Sequence, residues 1–213
     1  MSSSPLENLP PLIPSDFFAL TCPIPYAKKI PERRIPYLPD RTDLLGEEGF
    51  SKVALFWNEE ALFIKADVYK PFEEALYPDF REGDSVEVFI DTRDLKMAGY
   101  PTKFCHHFVF FPVESKDVFS REVSVFREED SHPLCDPKDL FVEVKVEKLS
   151  YQLNITIPSH ALHGYEPASF KRLGFTYRVN RYQGEPEHFA LSSTYYQIEK
   201  HPSLWASLLM EAP

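Results

Sequence analysis

The chain has 213 residues, 43% hydrophobic and 26% charged, with a formal net charge of −10 and a pI near 5.2. That length suits one large all-β domain, or at most two small ones, and is enough to bury a core without staples. The acidity excludes ready binding to a phosphate backbone, since no basic stripe compensates, and no apolar run of about 18 residues is present to span a membrane.

Nine of the 20 prolines fall in the first 40 residues. Each fixes φ and removes a backbone donor. Residues 1–15 therefore read as a flexible Pro/Ser-rich tail and 22–50 as a long extended connection, with a first strand expected at DFFALT (16–21). The basic cluster AKKIPERRIP (27–36) is split by prolines and a glutamate and reads as a solvated loop. The amino terminus lacks the basic start and apolar stretch of a secretory signal. Three cysteines, Cys22, Cys105 and Cys135, do not make a disulfide framework. The cytoplasm is the default compartment, with leaderless export left open.

From Val53 onward the pattern is that of strands. VALFWNEEALFIKADVY is two strands about a bend at Asn58, the second alternating with period two. DSVEVFID (84–91) places Val86, Val88 and Ile90 on one face and Ser85, Glu87, Phe89 and Asp91 on the other. LFVEVKVE (140–147) points Leu140, Val142, Val144 and Val146 inward, and YQLNITIP (151–158) completes a hairpin with it. SHALHG holds one helical turn. LGFTYRVNRY (173–182), EHFALSS and SLWASLLM read as closing strands. Aromatics at 15% favour the same secondary structure. About ten short strands imply an all-β antiparallel sandwich of jelly-roll or immunoglobulin-like type, one domain over 16–213.

KFCHHFVFFPVE (103–114) raises a question of chemistry, because two histidines follow a cysteine in an apolar run. Strand alternation sends His106 with Phe104, Phe108 and Phe110 to one face, and His107 with Cys105, Val109 and Phe111 to the other. The two rings thus cannot share a metal from a regular strand, and Cys105 is a poor dyad partner for His106. Cys105 and His107 with His132 and Cys135 would offer two sulfurs and two nitrogens, but not at the spacings of a structural zinc site. No haem-attachment motif is present, although Met97 with a histidine would be an axial pair. Phosphate loops, nucleophile elbows and HExxH are absent. Neither a catalytic set nor a metal site is expected. The acidic group Asp84, Glu87, Asp91 and Asp94 offers oxygen donors of the kind calcium takes, but most of it occupies one strand and its ends, where carboxylates are usually solvated.

GDSVEVFIDTRD resembles the D-x-x-E-φ-φ-φ-D strand, φ being apolar, of family-9 carbohydrate-binding modules and the wider DOMON-type superfamily. VALFWNEEALFIKADVYKP is similar to that family's paired strands, LGFTYRVNRYQGE to its late strand and PSLWASLLM to its closing strand, so that the resemblance covers about residues 50–210. It implies a non-catalytic β-sandwich that binds a sugar, with apolar sugar faces stacked on aromatic rings and hydroxyls on polar side chains. The ligand-binding residues implied are Trp57, Glu87, Arg93, Arg178, Asn180 and Tyr182. Within the same resemblance, a protein-interaction sandwich without a sugar site and a haem-binding domain are the alternatives.

Overall fold

A computed structural model describes residues 20–127 and 129–212. They form eleven strands: β1 (Thr21–Ile24), β2 (Ser51–Trp57), β3 (Ala61–Val68), β4 (Ser85–Asp91), β5 (Cys105–Ser115), β6 (Val118–Glu122), β7 (Phe141–Val146), β8 (Tyr151–Pro158), β9 (Arg172–Asn180), β10 (Glu187–His188) and β11 (Ala206–Met210). One helical turn, α1 (Thr42–Leu45), precedes β2. The larger sheet runs β1-β11-β9-β4-β5-β6 with β10 beside β9, and the smaller runs β2-β3-β8-β7. The expected sandwich is therefore the fold. Its pairings are antiparallel save that of β1, which lies parallel to β11. No described helix is long and apolar enough to cross a membrane.

The core lies between the sheets. Val86, Val88 and Ile90 of β4 and Phe108 and Phe110 of β5 meet Leu62, Ile64 and Ala66 of β3 and Leu153, Ile155 and Ile157 of β8. Period-two alternation specifies this directly, because each strand commits one face to the other sheet. The β2–β3 and β7–β8 hairpins and β4, β5 and β9 stand where the sequence puts them.

The differences arise at edges. Of the strand expected at 16–21, residues 16–19 lie outside the described residues. β1 shares only Thr21 with that expected strand and runs on to Ile24, into the stretch read as a connection, because Cys22 and Ile24 alternate inward against β11. β6 was not expected: its inward residues are Ser120 and Glu122, while Phe119 is exposed, so its hydrophobic alternation is inverted. β10 shortens to two residues, and Ala190, with φ of +68°, turns the chain just beyond it. On β7, an edge strand, Val142 and Val144 are half-buried and Val146 is exposed rather than inward.

The proline-rich stretch is not a free connection. Ala27 N–H donates to the Trp57 carbonyl at 2.9 Å and Leu38 N–H to that of Val53 at 2.8 Å, so the segment runs along the edge of β2. Ala27, Ile30, Ile35 and Tyr37 then cover Ala54, Phe56, Ala61 and Phe63 on the outer face of the smaller sheet. A proline-rich segment blunts a sheet edge well, since it offers few donors to a further strand. Phe63→Ala should lower unfolding free energy by about 3 kcal/mol, and hydrogen exchange should show the amides of Ala27 and Leu38 losing protection.

Candidate functional site

Alternation along β4 turns Glu87 and Phe89 away from the inter-sheet core, yet both are fully buried. The register explains the first. Glu87 stands opposite Arg178 on β9, and Ser85 opposite Asn180. The Glu87 Oε1 accepts from Arg178 Nε at 2.6 Å and from Asn180 Nδ2 at 2.6 Å. Its Oε2 accepts from Arg178 Nη2 at 2.7 Å and from His107 Nε2 at 2.8 Å. Four donors thus meet the roughly four lone-pair positions of a carboxylate, and the guanidinium engages both oxygens. Burial alone would raise this carboxyl; the hydrogen bonds from His107 and Arg178 and the charge of the guanidinium outweigh it and hold Glu87 well below the usual carboxylate range.

One row further along, Phe89 and His107 stack with ring centres 4.1 Å apart, and Trp205 leans on Phe89 at 5.7 Å. Trp205 is fixed by its Nε1–H donating to the Ile198 carbonyl at 2.7 Å. These rings floor a cavity of about 650 Å³. Its walls come from four loops, at 80–81, 99–101, 123–127 and 199–201. Phe80 is half-buried there, and Tyr100 is exposed with the Arg127 guanidinium 3.8 Å from its ring centre. Arg81 bridges wall and floor, 3.3 Å from Glu199 and 3.7 Å from Glu87. With a neutral His107 donating Nε2–H to Glu87, Nδ1 remains as an acceptor on a ring that lines the cavity. The arrangement offers aromatic faces, two guanidinium groups and a hydrogen-bonding imidazole to a small polar ligand.

Of the six residues implied by resemblance, Glu87, Arg178 and Asn180 converge here. Trp57 does not: it is 1% exposed in the core, edge-on to Tyr26, so no ligand can stack on it. Arg93 lies elsewhere, donating to the Gly164 carbonyl and to Glu166, with its guanidinium 3.7 Å from the Phe170 ring centre. Tyr182 is half-buried in the turn after β9 and does not line the cavity. The sequence reading missed the cavity role of His107, Phe89, Trp205, Tyr100 and Arg81. The shared parity of Glu87 and Phe89 was visible, but placing His107 beside them required the β4–β5 register.

Other suggestive groups are accounted for by local structure. Asp84 accepts the Glu73 and Glu74 amides, and Asp91 those of Arg93 and Leu95. Asp94 pairs with Lys96 and Arg172. Met97 is exposed and does not line the cavity. Burial pushes the Cys105 thiol up to about 12, which makes it a poor nucleophile. The zinc quartet considered above is not assembled: His107 turns to Glu87 and Cys105 to Thr102, while His132 turns to Glu122. Glu47, His188 and Ser193 form a carboxylate–imidazole–hydroxyl chain, with 2.8 Å from Glu47 to Nδ1 and 2.6 Å from Nε2 to the Ser193 Oγ. The Ser193 N–H also points at Nε2, at 3.2 Å. That amide faces inward rather than towards a substrate oxygen, so the chain reads as a structural tie between the turn after α1 and β10.

The family model described as carbohydrate family 9 binding domain-like matches residues 29–207. A family 9 carbohydrate-binding module from Caldicellulosiruptor kristjanssonii, solved in complex with cellotriose, superposes with a TM-score of 0.62 at 16% identity, over 91% of this chain and 94% of that one. Its complex with glucose gives a TM-score of 0.62 at 16% identity, over 91% and 96% of the two chains. At that identity the likeness establishes the fold. No curated protein matches the chain.

Removing one partner of a buried ion pair leaves the other uncompensated, so Arg178→Met should cost about 3–5 kcal/mol in a urea titration. A carboxyl held low in the folded state contributes stability that is full above its unfolded value, about 4.3, and is lost as pH falls toward the folded one. Glu87→Gln should therefore give a shallower acid limb in a pH series of melting temperatures, with part of the limb remaining because other carboxyls, Glu47 and Glu122 among them, are also held low.

Proposed function

Because the chain belongs to the carbohydrate family 9 binding domain-like family, we propose that it is a non-catalytic sugar-binding domain whose ligand occupies the cavity above Glu87. The observation that carries this is the combination of aromatic walls with a fully hydrogen-bonded charged floor. Sugars present C–H faces that suit Phe80 and Tyr100, and hydroxyls that suit Arg81, Arg127, Glu199 and His107. The Glu87–Arg178–Asn180 set acts behind this surface. It fixes His107 and thereby fixes the direction of one hydrogen bond, which is how a few polar groups orient a ligand in a mostly apolar pocket. Among the described residues that line the cavity, none is a nucleophile set beside a base and an oxyanion donor, in keeping with a binding role.

Glucose and cello-oligosaccharides are the first ligands to try, since the family 9 neighbours hold glucose and cellotriose. Isothermal titration across a panel of sugars should find one class that binds. Tyr100→Ala and Arg81→Ala should each weaken that binding about tenfold or more, a loss of ~1.4 kcal/mol per decade, with melting temperature nearly unchanged because both side chains are exposed. Wild-type affinity in both variants would place the ligand elsewhere.

A further inference from the structure

His106 and His107 serve opposite faces of β5. On the face away from the cavity, His106 meets Glu122 of β6 and His132 of the loop before β7. All three are buried, at 1%, 2% and 7% exposed. Glu122 Oε1 lies 2.8 Å from His106 Nδ1, 2.9 Å from His132 Nε2 and 2.8 Å from the Ser124 hydroxyl. Its Oε2 accepts the Cys135 amide at 2.8 Å. One carboxylate oxygen, with about two lone pairs, thus faces three polar groups.

The tautomers sharpen the point. His132 Nδ1 lies 2.6 Å from the Lys103 carbonyl, which only accepts. That bond places the ring's proton on Nδ1. The Nε2 of a neutral ring then turns a lone pair toward Glu122, and two lone pairs at 2.9 Å repel unless a cation stands between them. A histidine that gives its second N–H to a backbone carbonyl is the usual outer-shell arrangement of a metal-bound imidazole. His106 repeats it loosely, with Nε2 3.4 Å from the His163 carbonyl.

We propose that His106, Glu122 and His132 bind a divalent ion of the zinc class. Two imidazole nitrogens and a carboxylate suit zinc and its neighbours, whereas calcium and magnesium select oxygen donors. The candidate ligand atoms all lie within 4.8 Å of one another. Bonds of about 2.0–2.2 Å to a tetrahedral ion need ligands ~3.3 Å apart, so small side-chain rotations open the present hydrogen bonds to that spacing. The exposed His163 ring stacks on His132 with ring centres 5.3 Å apart.

The full chain, stripped with a chelator and returned to chelator-free buffer, is titrated with zinc chloride by calorimetry and assayed for bound metal after desalting. One zinc per chain and a raised melting temperature are expected. His132→Gln and Glu122→Gln should lose about 100-fold or more in affinity, beyond the ~10–100-fold that an outer-shell change costs. His160→Ala, which removes an exposed histidine outside the cluster, should bind normally. Folded wild-type protein that retains no zinc, or a His132→Gln variant that binds like wild type, overturns the proposal. Should the variants not fold, ¹⁵N spectra of the wild-type imidazoles decide. Zinc should bind His132 Nε2 and shift its resonance, whereas a ring whose resonances zinc leaves unmoved identifies a purely structural histidine–glutamate contact instead.

Discussion

The burial of the Glu87 carboxylate is the constraint around which the larger sheet is arranged. A charge with no solvent exposure is tolerable only when its lone pairs are filled and its charge is matched. Three strands supply that. β9 gives Arg178 and Asn180, β5 gives His107, and β4 holds the carboxylate between them. The pairing admits little slippage, since moving β9 by one residue would turn Arg178 into the inter-sheet core and leave Glu87 unpaired. The register that satisfies the charge also stacks His107 on Phe89 and brings Trp205 against it. Electrostatics thereby set the floor of the cavity.

The inter-sheet core was legible in the sequence, and for a simple reason. Val86, Val88 and Ile90, or Leu153, Ile155 and Ile157, alternate with polar or aromatic residues, and period two has one structural meaning. The same alternation placed Glu87, Arg178 and Asn180 on the face away from that core. What it could not supply was depth: charged residues on a strand's second face usually meet water, and here they meet one another. Trp57 misled because a tryptophan beside a turn is exposed only if nothing covers the turn, and Tyr26, from the proline-rich segment, packs against its ring. β6 escaped notice because its inward positions, Ser120 and Glu122, are polar. Glu122 is buried through partners at 106 and 132, which no local pattern connects.

The paired histidines show how alternation divides labour. His107 belongs to the Glu87 network and the cavity; His106 belongs to the Glu122 cluster beneath the other face. The two are joined through Ser124, whose hydroxyl accepts the His107 amide and donates to Glu122. The loop carrying Ser124 also walls the cavity. An ion at the Glu122 cluster would therefore stiffen one wall of the cavity without touching its ligand. Each cluster is buried, multiply bonded and built across strands, which suits groups that must be held in fixed positions.

The central claim is that the Glu87-based cavity receives a sugar. The most direct measurement is a crystal structure of the protein with the best-binding oligosaccharide. The account predicts a sugar ring against Tyr100 or Phe80, with a hydroxyl within hydrogen-bond distance of His107 Nδ1 and the Glu87–Arg178 bonds unchanged. A sugar bound on another surface while this cavity holds only water would contradict it.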